Sequence, residues 1–123
     1  MKRPRVLVAD DHADLVKAVC RLLAADCDVV GSVADGRAVL EAAQRLEPDA
    51  IVVDVNLPNL NGLEACRQLT QRHPQMKVIV FTAMNDPDIR QRSFEVGASG
   101  FVFKMAGDGD LLATIKRLFA GES

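Results

Sequence analysis

The sequence lacks the features that mark membrane-spanning, secreted and nucleic-acid-binding proteins. No apolar run approaches the ~18 residues of a membrane-spanning helix, so we expect no membrane association. The first four residues are too few, and too soon followed by an apolar run, to form a signal peptide. Lysine and arginine number 15 against 17 aspartates and glutamates, a formal net charge of −2. This segment therefore offers no electrostatic basis of its own for binding DNA.

Cysteines are also few. Cys20, Cys27 and Cys66 are odd in number and show no C-x-x-C spacing, which disfavours a disulfide framework and a thiolate metal site. We interpret them as reduced, partly buried thiols that act as small core residues in a cytoplasmic protein.

What the sequence does contain is a regular alternation of strand-like and helix-like segments. Apolar runs predict five strands, at residues 5–9, 28–33, 50–53, 77–81 and 101–103. Apolar residues at helical spacing predict a helix after each strand, the first over 13–25. Asp35 and Asp86 are predicted N-caps, Pro48 ends the second helix, and Gly97 ends the fourth. With 123 residues and 49% hydrophobic content, the chain is predicted to be one α/β domain. Its sheet should be doubly wound, parallel and five-stranded, with helices on both faces.

Charged residues follow three of the predicted strands at the points where they end. Asp10 and Asp11 follow the first strand, Asp54 the third and Lys104 the fifth. Because the carboxyl ends of parallel strands meet at one edge of a sheet, we expect these side chains to share a crevice. Two carboxylates ~4 Å apart repel by roughly 4 kcal/mol at an effective dielectric constant of about 20. A divalent cation with oxygen ligands, together with one ammonium group, would offset that repulsion.

Each candidate residue also has a purely structural interpretation. Asp10 and Asp11 could cap the first helix. Thr82, at the end of the fourth strand, could be an ordinary strand residue, and Phe101 could be a core residue. His12 is expected at the surface without a metal role, because imidazole is a poor ligand for Mg²⁺.

The order and spacing of these residues resemble the receiver domain of two-component response regulators. The resemblance extends over essentially the whole chain and rests on four segments: Asp10-Asp11, Asp54-Val55-Asn56-Leu57-Pro58-x-x-x-Gly62, Thr82-Ala83 and Phe101-x-x-Lys104. It implies a (βα)5 flavodoxin-like receiver fold and a phosphoacceptor signalling domain rather than a classical enzyme. The chain is most similar to the NarL/LuxR-type subgroup in Asp11-His12, in Asn61-Gly62-Leu63-Glu64, in the segment 97–101 and in having a lysine without a following proline.

The resemblance implies a specific chemistry for the acidic residues. Asp54 would take a phosphoryl group from the phosphohistidine of a histidine kinase. Mg²⁺ would be bound by Asp11 and Asp54, by Asp10 through water, and by the backbone carbonyl of Asn56. The transition state of phosphoryl transfer spreads negative charge over three oxygens, so this positive charge is what the reaction needs.

The resemblance also assigns roles to the polar residues of the fourth and fifth strands. Lys104 would contact the phosphoryl oxygens as a compact cation, and Thr82 and the Ala83 amide would bind them as hydrogen-bond donors. Thr82 and Phe101 would then form the switch. In receivers, the residues at positions 56 and 84 influence hydrolysis of the acyl phosphate, and position 84 is methionine here.

Two aspects of the resemblance leave alternatives open. Many receivers have a cis proline after the lysine, but this chain has Met105, and a cis non-proline bond costs ~3 kcal/mol. Subgroup members carry a C-terminal helix-turn-helix domain, so we expect residues 1–123 to be the N-terminal receiver of a transcription regulator that binds DNA through that missing domain. The alternative is a stand-alone receiver that acts by protein–protein interaction. Phosphorylation could also promote a homodimer through the first and last helices.

Two unrelated function classes share part of the pattern. Haloacid-dehalogenase-like phosphatases use an aspartate nucleophile and Mg²⁺, but need Asp-x-Asp after one strand. Neither Asp10-Asp11 nor Asp54-Val55-Asn56 provides it. A flavodoxin-like FMN binder needs a Ser/Thr/Gly-rich phosphate loop where this chain has two aspartates, which would repel the phosphate.

Overall fold

Strands and helices alternate along the chain in the computed structural model, which describes residues 3–106 and 110–120. The five strands are β1 Arg5–Ala9, β2 Asp28–Val33, β3 Ala50–Val53, β4 Lys77–Thr82 and β5 Gly100–Phe103. The α-helices of the described ranges are α1 Ala13–Leu23, α2 Gly36–Leu46, α3 Gly62–Arg72, α4 Pro87–Glu95 and α5 Asp110–Phe119.

All strand pairs are parallel, in the order β2-β1-β3-β4-β5. This confirms the predicted doubly wound sheet. The strand order reverses at β1, whose neighbours are β2 on one side and β3 on the other, so a crevice lies beyond the carboxyl ends of β1 and β3.

The sheet separates two apolar cores. Successive strand residues point to opposite faces, so Leu7 and Ile51 pack toward α2 and α3, whereas Val8 and Val52 pack toward α1 and α5. Residues of β1 and β3 are almost all buried, as expected for strands covered on both sides. Cys66 lies in the first core, and burial raises the pKa of its thiol to about 12, which suits a small core residue.

The predicted helix signals have the expected effects. Asp35 accepts a hydrogen bond from the Ala38 amide at 2.7 Å, and Asp86 caps α4, with Pro87 at its first position. Gly97 follows α4 with φ of +108°, a conformation that favours glycine.

The structure corrects three predicted boundaries, one of which is the start of β5 at Gly100 rather than at residue 101, and adds one short element. The helix expected over 13–25 ends at Leu23, because the chain must turn back before Asp28 pairs with Arg5. β4 includes Thr82, which pairs with Phe103. A short 3₁₀ turn, Lys104–Ala106, follows β5 and was not predicted.

The peptide bonds and the helices of the described residues bear on two expectations from the sequence. No cis peptide occurs in the described residues, so the bond after Lys104 is trans. None of the described helices is both long and apolar enough to cross a membrane.

Candidate functional site

The candidate site lies at the carboxyl ends of the four strands β1, β3, β4 and β5. Asp10 directly follows β1, Asp54 follows β3, Thr82 ends β4 and Lys104 follows β5. The exposed fraction is 5% for Asp10, 3% for Asp54 and 0% for Thr82, whereas polar residues at strand ends are ordinarily exposed. The sheet therefore brings the predicted residues together and buries them.

Lys104 is the cation that the sequence predicted for this crevice. Its Nζ lies 2.6 Å from Asp10 Oδ2 and 3.3 Å from Asp54 Oδ2. The same nitrogen lies 5.6 Å from the centre of the Phe81 ring. One ammonium thus bridges two buried carboxylates from different strands, which is how the fold tolerates them.

The environment of Asp10 favours its charged form. Burial by itself would raise the pKa of Asp10, but hydrogen bonds from Lys104 and from the backbone and ring of His12 outweigh it, and the pKa lies below its ordinary value. Asp10 is therefore a carboxylate at neutral pH, available to a cation.

Neither aspartate of the acidic pair caps α1. The N-cap residue is His12, whose side chain makes no capping hydrogen bond. Asp10 Oδ1 instead accepts the His12 amide at 2.9 Å, which fixes this carboxylate just before the helix. The Asp11 side chain is 41% exposed and so stays open to solvent.

His12 occupies a place that the sequence analysis did not anticipate. Its ring is 67% exposed, as predicted, but Nδ1 lies 2.9 Å from Asp10 Oδ1 and 3.2 Å from Asp11 Oδ1. The hydrogen bond to Asp10, followed by the charges of both carboxylates, raises the pKa of His12. The sequence Asp10-Asp11-His12 was the signal from which a contact of His12 with both acids could have been predicted.

The donor atoms of the crevice fit a hard divalent cation. One carboxylate oxygen from each of Asp10, Asp11 and Asp54, together with a His12 ring nitrogen, lie within 4.8 Å of one another. Carboxylate oxygens on a partly exposed rim are the donors that Mg²⁺ prefers, since it keeps several waters.

The loop after Asp54 is held against the acceptor. The Gly62 amide donates to Val55 O at 2.8 Å, and a Cβ at Gly62 would lie 1.9 Å from Asp54 O. Only glycine permits this approach of α3 to the main chain of Asp54. The backbone amide of Asn56 donates to Asp54 Oδ1 at 3.4 Å, so the loop also orients the carboxylate.

The β4–α4 loop borders the site on its other side. Thr82 Oγ1 accepts the Met84 amide at 3.2 Å, and Asn56 Nδ2 lies 3.5 Å from Met84 Sδ. Ala83 is exposed. Asn56 and Met84 also line an open cleft of about 540 Å³ between α3 and α4. Residues 56 and 84 thus contact each other next to the acceptor.

Phe101 is half-buried at the edge of the sheet and packs against the first core. The Arg90 guanidinium lies 6.0 Å from the centre of its ring and 5.7 Å from that of Phe94. A switch role for Phe101 stays a prediction.

Comparisons with known proteins give a consistent result. A family profile described as the response regulator receiver domain matches residues 6–116. The chain is 39% identical over 121 residues to the response regulator GacA of Pseudomonas viridiflava and 34% identical over 119 residues to the nitrate/nitrite response regulator NarL of Escherichia coli K12. These alignments cover 96% and 95% of this chain, but 56% and 55% of those proteins. The chain thus spans about half the length of the curated relatives it matches.

Solved structures are similar over nearly the whole chain. A LuxR-family two-component response regulator from Aurantimonas superposes with a TM-score of 0.93 at 29% identity, covering 98% of this chain and 87% of that one. The response regulator domain of CheB from Thermotoga maritima superposes with a TM-score of 0.81 at 30% identity, covering 95% of this chain and 92% of that one.

Proposed function

The chain belongs to the response regulator receiver domain family of two-component signalling, and from that premise we propose that Asp54 accepts a phosphoryl group from a histidine kinase in a Mg²⁺-dependent reaction. The observation that carries the proposal is the burial of Asp54 within reach of Lys104, beside two further carboxylates. A buried acid between a cation and a candidate metal site has the surroundings that a phosphoacceptor needs.

The transfer exchanges one bond to phosphorus for another. A carboxylate oxygen of Asp54 forms the new P–O bond, the P–N bond of the donor phosphohistidine breaks, and the leaving imidazole takes a proton. In this assignment Asp11 and Asp54 would hold Mg²⁺ directly, Asp10 would hold it through water and Asn56 through its backbone carbonyl. The ion would supply positive charge to the phosphoryl oxygens.

Lys104 has a second role after transfer. Before transfer its ammonium is shared between Asp10 and Asp54. A phosphoryl group on Asp54 adds about −1.5 to −2 charges beside this ammonium, so a contact of Lys104 with the phosphoryl oxygens becomes favourable.

The switch is a shift between two populations. The Thr82 hydroxyl and the Ala83 amide donate to the phosphoryl group, and Phe101 moves into the space that Thr82 leaves. Changing the active fraction from ~1% to ~99% requires the phosphate to favour the active state by roughly 5.5 kcal/mol. Two hydrogen bonds and one ammonium contact are a sufficient source.

The output of the switch is assigned from the relatives. GacA and NarL are named response regulators, and a relative in Mycobacterium tuberculosis at 36% identity is named a DNA-binding transcriptional activator. We assign this chain to the cytoplasm, as the receiver of a transcription regulator that binds DNA through a C-terminal helix-turn-helix domain.

Phosphorylation should also promote a homodimer through α1 and α5. Sedimentation with and without beryllofluoride tests this, and identical monomeric profiles would argue against it.

Intact-mass measurement tests the acceptor. Acetyl phosphate with Mg²⁺ should add one phosphoryl group to the wild type and none to Asp54→Ala. Asp49→Asn is the matched control, because Asp49 is a carboxylate at the opposite end of β3, and it should label like the wild type. Equal labelling of Asp54→Ala and the wild type would remove Asp54 from the acceptor role.

A further inference from the structure

The loop that follows Asp54 contains an uncommon turn. The Leu60 amide donates to Pro58 O at 2.8 Å, and Asn59 between them has a φ of +69°. A hydrogen bond between residues i and i+2 with a positive φ at the central residue marks the rarer, strained form of the γ-turn. A strained turn persists only where the surrounding structure holds it. We therefore looked for the group that holds turn 58–60.

The amino-terminal end of α2 supplies that support. The Gly36 amide donates to Pro58 O at 3.1 Å, so this one carbonyl accepts two amides. A Cβ at Gly36 would lie 1.8 Å from Leu60 O and 2.7 Å from Leu60 Cβ. Because real Cβ atoms essentially never come within 3.0 Å of such atoms, any side chain at position 36 would push the turn away from α2. The absence of a side chain is what permits the contact.

The loop after β3 is thus anchored at two points. At its base the Gly62 amide donates to Val55 O at 2.8 Å, and at its tip Gly36 holds turn 58–60. The main chain of Asn56 lies between these anchors, and its side chain is exposed. The two anchors, rather than packing of the Asn56 side chain, therefore determine where its carbonyl lies.

We propose that Gly36 is a positioning residue for the phosphorylation of Asp54, because through turn 58–60 it fixes the Asn56 carbonyl that would hold Mg²⁺. The inference rests on the proposed function and adds to it a residue of α2 that lies outside the acidic crevice. A misplacement of about 1 Å caused by a change far from the chemistry can cost about 10²-fold in rate. Since the effect acts through metal binding, excess Mg²⁺ should offset it.

The competing interpretation is that Leu57 fixes its neighbour Asn56 without help from α2. Leu57 is only 6% exposed and packs in the first core. If this packing suffices, a displaced turn 58–60 would move alone and the Asn56 carbonyl would stay in place. Replacing Gly36 would then change stability but not Mg²⁺ affinity.

Gly36→Ala separates the two interpretations from the side of the helix. Alanine is a better helix former than glycine, so the substitution does not by itself weaken α2. The matched control is Gly31→Ala in β2. A Cβ there would meet only the ends of the Leu46 and Leu7 side chains, at 3.2 and 3.6 Å.

A second pair of variants displaces the same turn from the side of the loop. Asn59 is exposed, so its replacement does not disturb the core. Glycine adopts a positive φ readily, whereas a β-branched residue is an outlier there. Asn59→Val should therefore disturb the turn, and Asn59→Gly should retain it. This pair decides the inference if Gly36→Ala does not fold.

The experiment measures Mg²⁺ dissociation constants by calorimetry and initial rates of phosphorylation by acetyl phosphate over a range of Mg²⁺ concentrations, at equal folded fraction. We expect Gly36→Ala and Asn59→Val to weaken Mg²⁺ binding by roughly tenfold. Phosphorylation should slow by about tenfold at limiting Mg²⁺ and by less than about twofold at saturating Mg²⁺. The amide resonance of Asn56 should shift in both variants and that of His12 in neither. Gly31→Ala and Asn59→Gly should match the wild type.

Wild-type Mg²⁺ affinity in Gly36→Ala, or in Asn59→Val if the first variant does not fold, would overturn the inference and leave the proposed function intact. A rate that saturating Mg²⁺ does not restore would also overturn it. Weaker Mg²⁺ binding in these variants, together with full labelling of Asp54→Ala, would support the inference and contradict Asp54 as the acceptor. Failure of the wild type to bind Mg²⁺ would overturn both.

Discussion

The two ends of the parallel sheet both carry charged residues but use them differently. At the amino-terminal end, Arg3 donates to the carbonyls of Ala24 and Cys27 at 2.7 and 2.8 Å, and Asp49 accepts the amide of Arg5 at 2.9 Å. The Arg3 side chain remains 48% exposed. These charges bind backbone groups of neighbouring segments, and water screens them.

At the carboxyl-terminal end the charges face one another. The Lys104 side chain is only 10% exposed and bridges two aspartates whose side chains are each 4% exposed, while a third, Asp11, lies at the rim. One buried ammonium balances two buried acids, so the crevice keeps an excess of negative charge that a cation can neutralise. Burial and choice of partner, rather than the presence of charge, therefore distinguish the proposed reactive end of this sheet from its structural end.

The sharpest test of this comparison exchanges one lysine at each end for methionine. Lys104→Met should slow phosphorylation by acetyl phosphate by about 10²-fold, because one contact to developing charge is lost in a buried site. Lys77→Met, at the start of β4, should change the rate by less than about twofold. Initial rates come from intact mass at fixed Mg²⁺. Similar rates for both variants and the wild type would erase the distinction between the two ends.

A smaller effect is expected at the rim of the reactive end. Met84 contacts Asn56 and lines the open cleft, and we expect its apolar side chain to exclude water partly from Asp54. Met84→Gln or Met84→Glu should speed loss of the phosphoryl group by up to about tenfold, which requires only ~1.4 kcal/mol, and should leave Mg²⁺ affinity nearly unchanged. The measurement is the single-turnover decay of the phosphorylated protein after excess phosphoryl donor is removed. Decay at or below the wild-type rate would mean that Met84 does not exclude the attacking water.

The smallest effect belongs to the structural end. Arg3→Ala should lower the free energy of unfolding by about 1 kcal/mol, because the variant lacks the hydrogen bonds that the exposed guanidinium donates to main-chain carbonyls. It should leave the rate of phosphorylation unchanged. Arg37→Ala, on the exposed surface of α2, is the control for loss of an arginine alone. Urea titration supplies the free energies. A slower phosphorylation of Arg3→Ala at equal folded fraction would show that the amino-terminal end contributes to the chemistry.

The sequence predicted the parts of the site that depend on regular periodicity. Continuous apolar runs located β1 and β3, and the residues that break those runs, Asp10 and Asp54, are therefore at the carboxyl edge. Lys104 could be added because β5 ends just before it. Each of these inferences needs only a local pattern and the rule that parallel strands end together.

What could not be predicted depends on side-chain rotamers and long-range packing. The contact of His12 with both acids requires the particular backbone turn before α1, and the 3₁₀ turn after β5 has no apolar period to reveal it. The early end of α1 follows from the pairing of β2 with β1, which no local pattern in residues 13–25 contains. Tertiary context decided these points.

The Lys104 bridge also determines when the pocket can exist during folding. Its ammonium pairs with Asp10, which lies 94 residues earlier in the chain, and with Asp54, which lies 50 residues earlier. During synthesis both acids emerge long before the cation that joins them, and closing so long a loop precedes any gain from the contact. An intact bridge therefore shows that β5 has joined the strands that carry the two acids, and an amide or fluorine probe beside Lys104 would report a late step of assembly rather than the first.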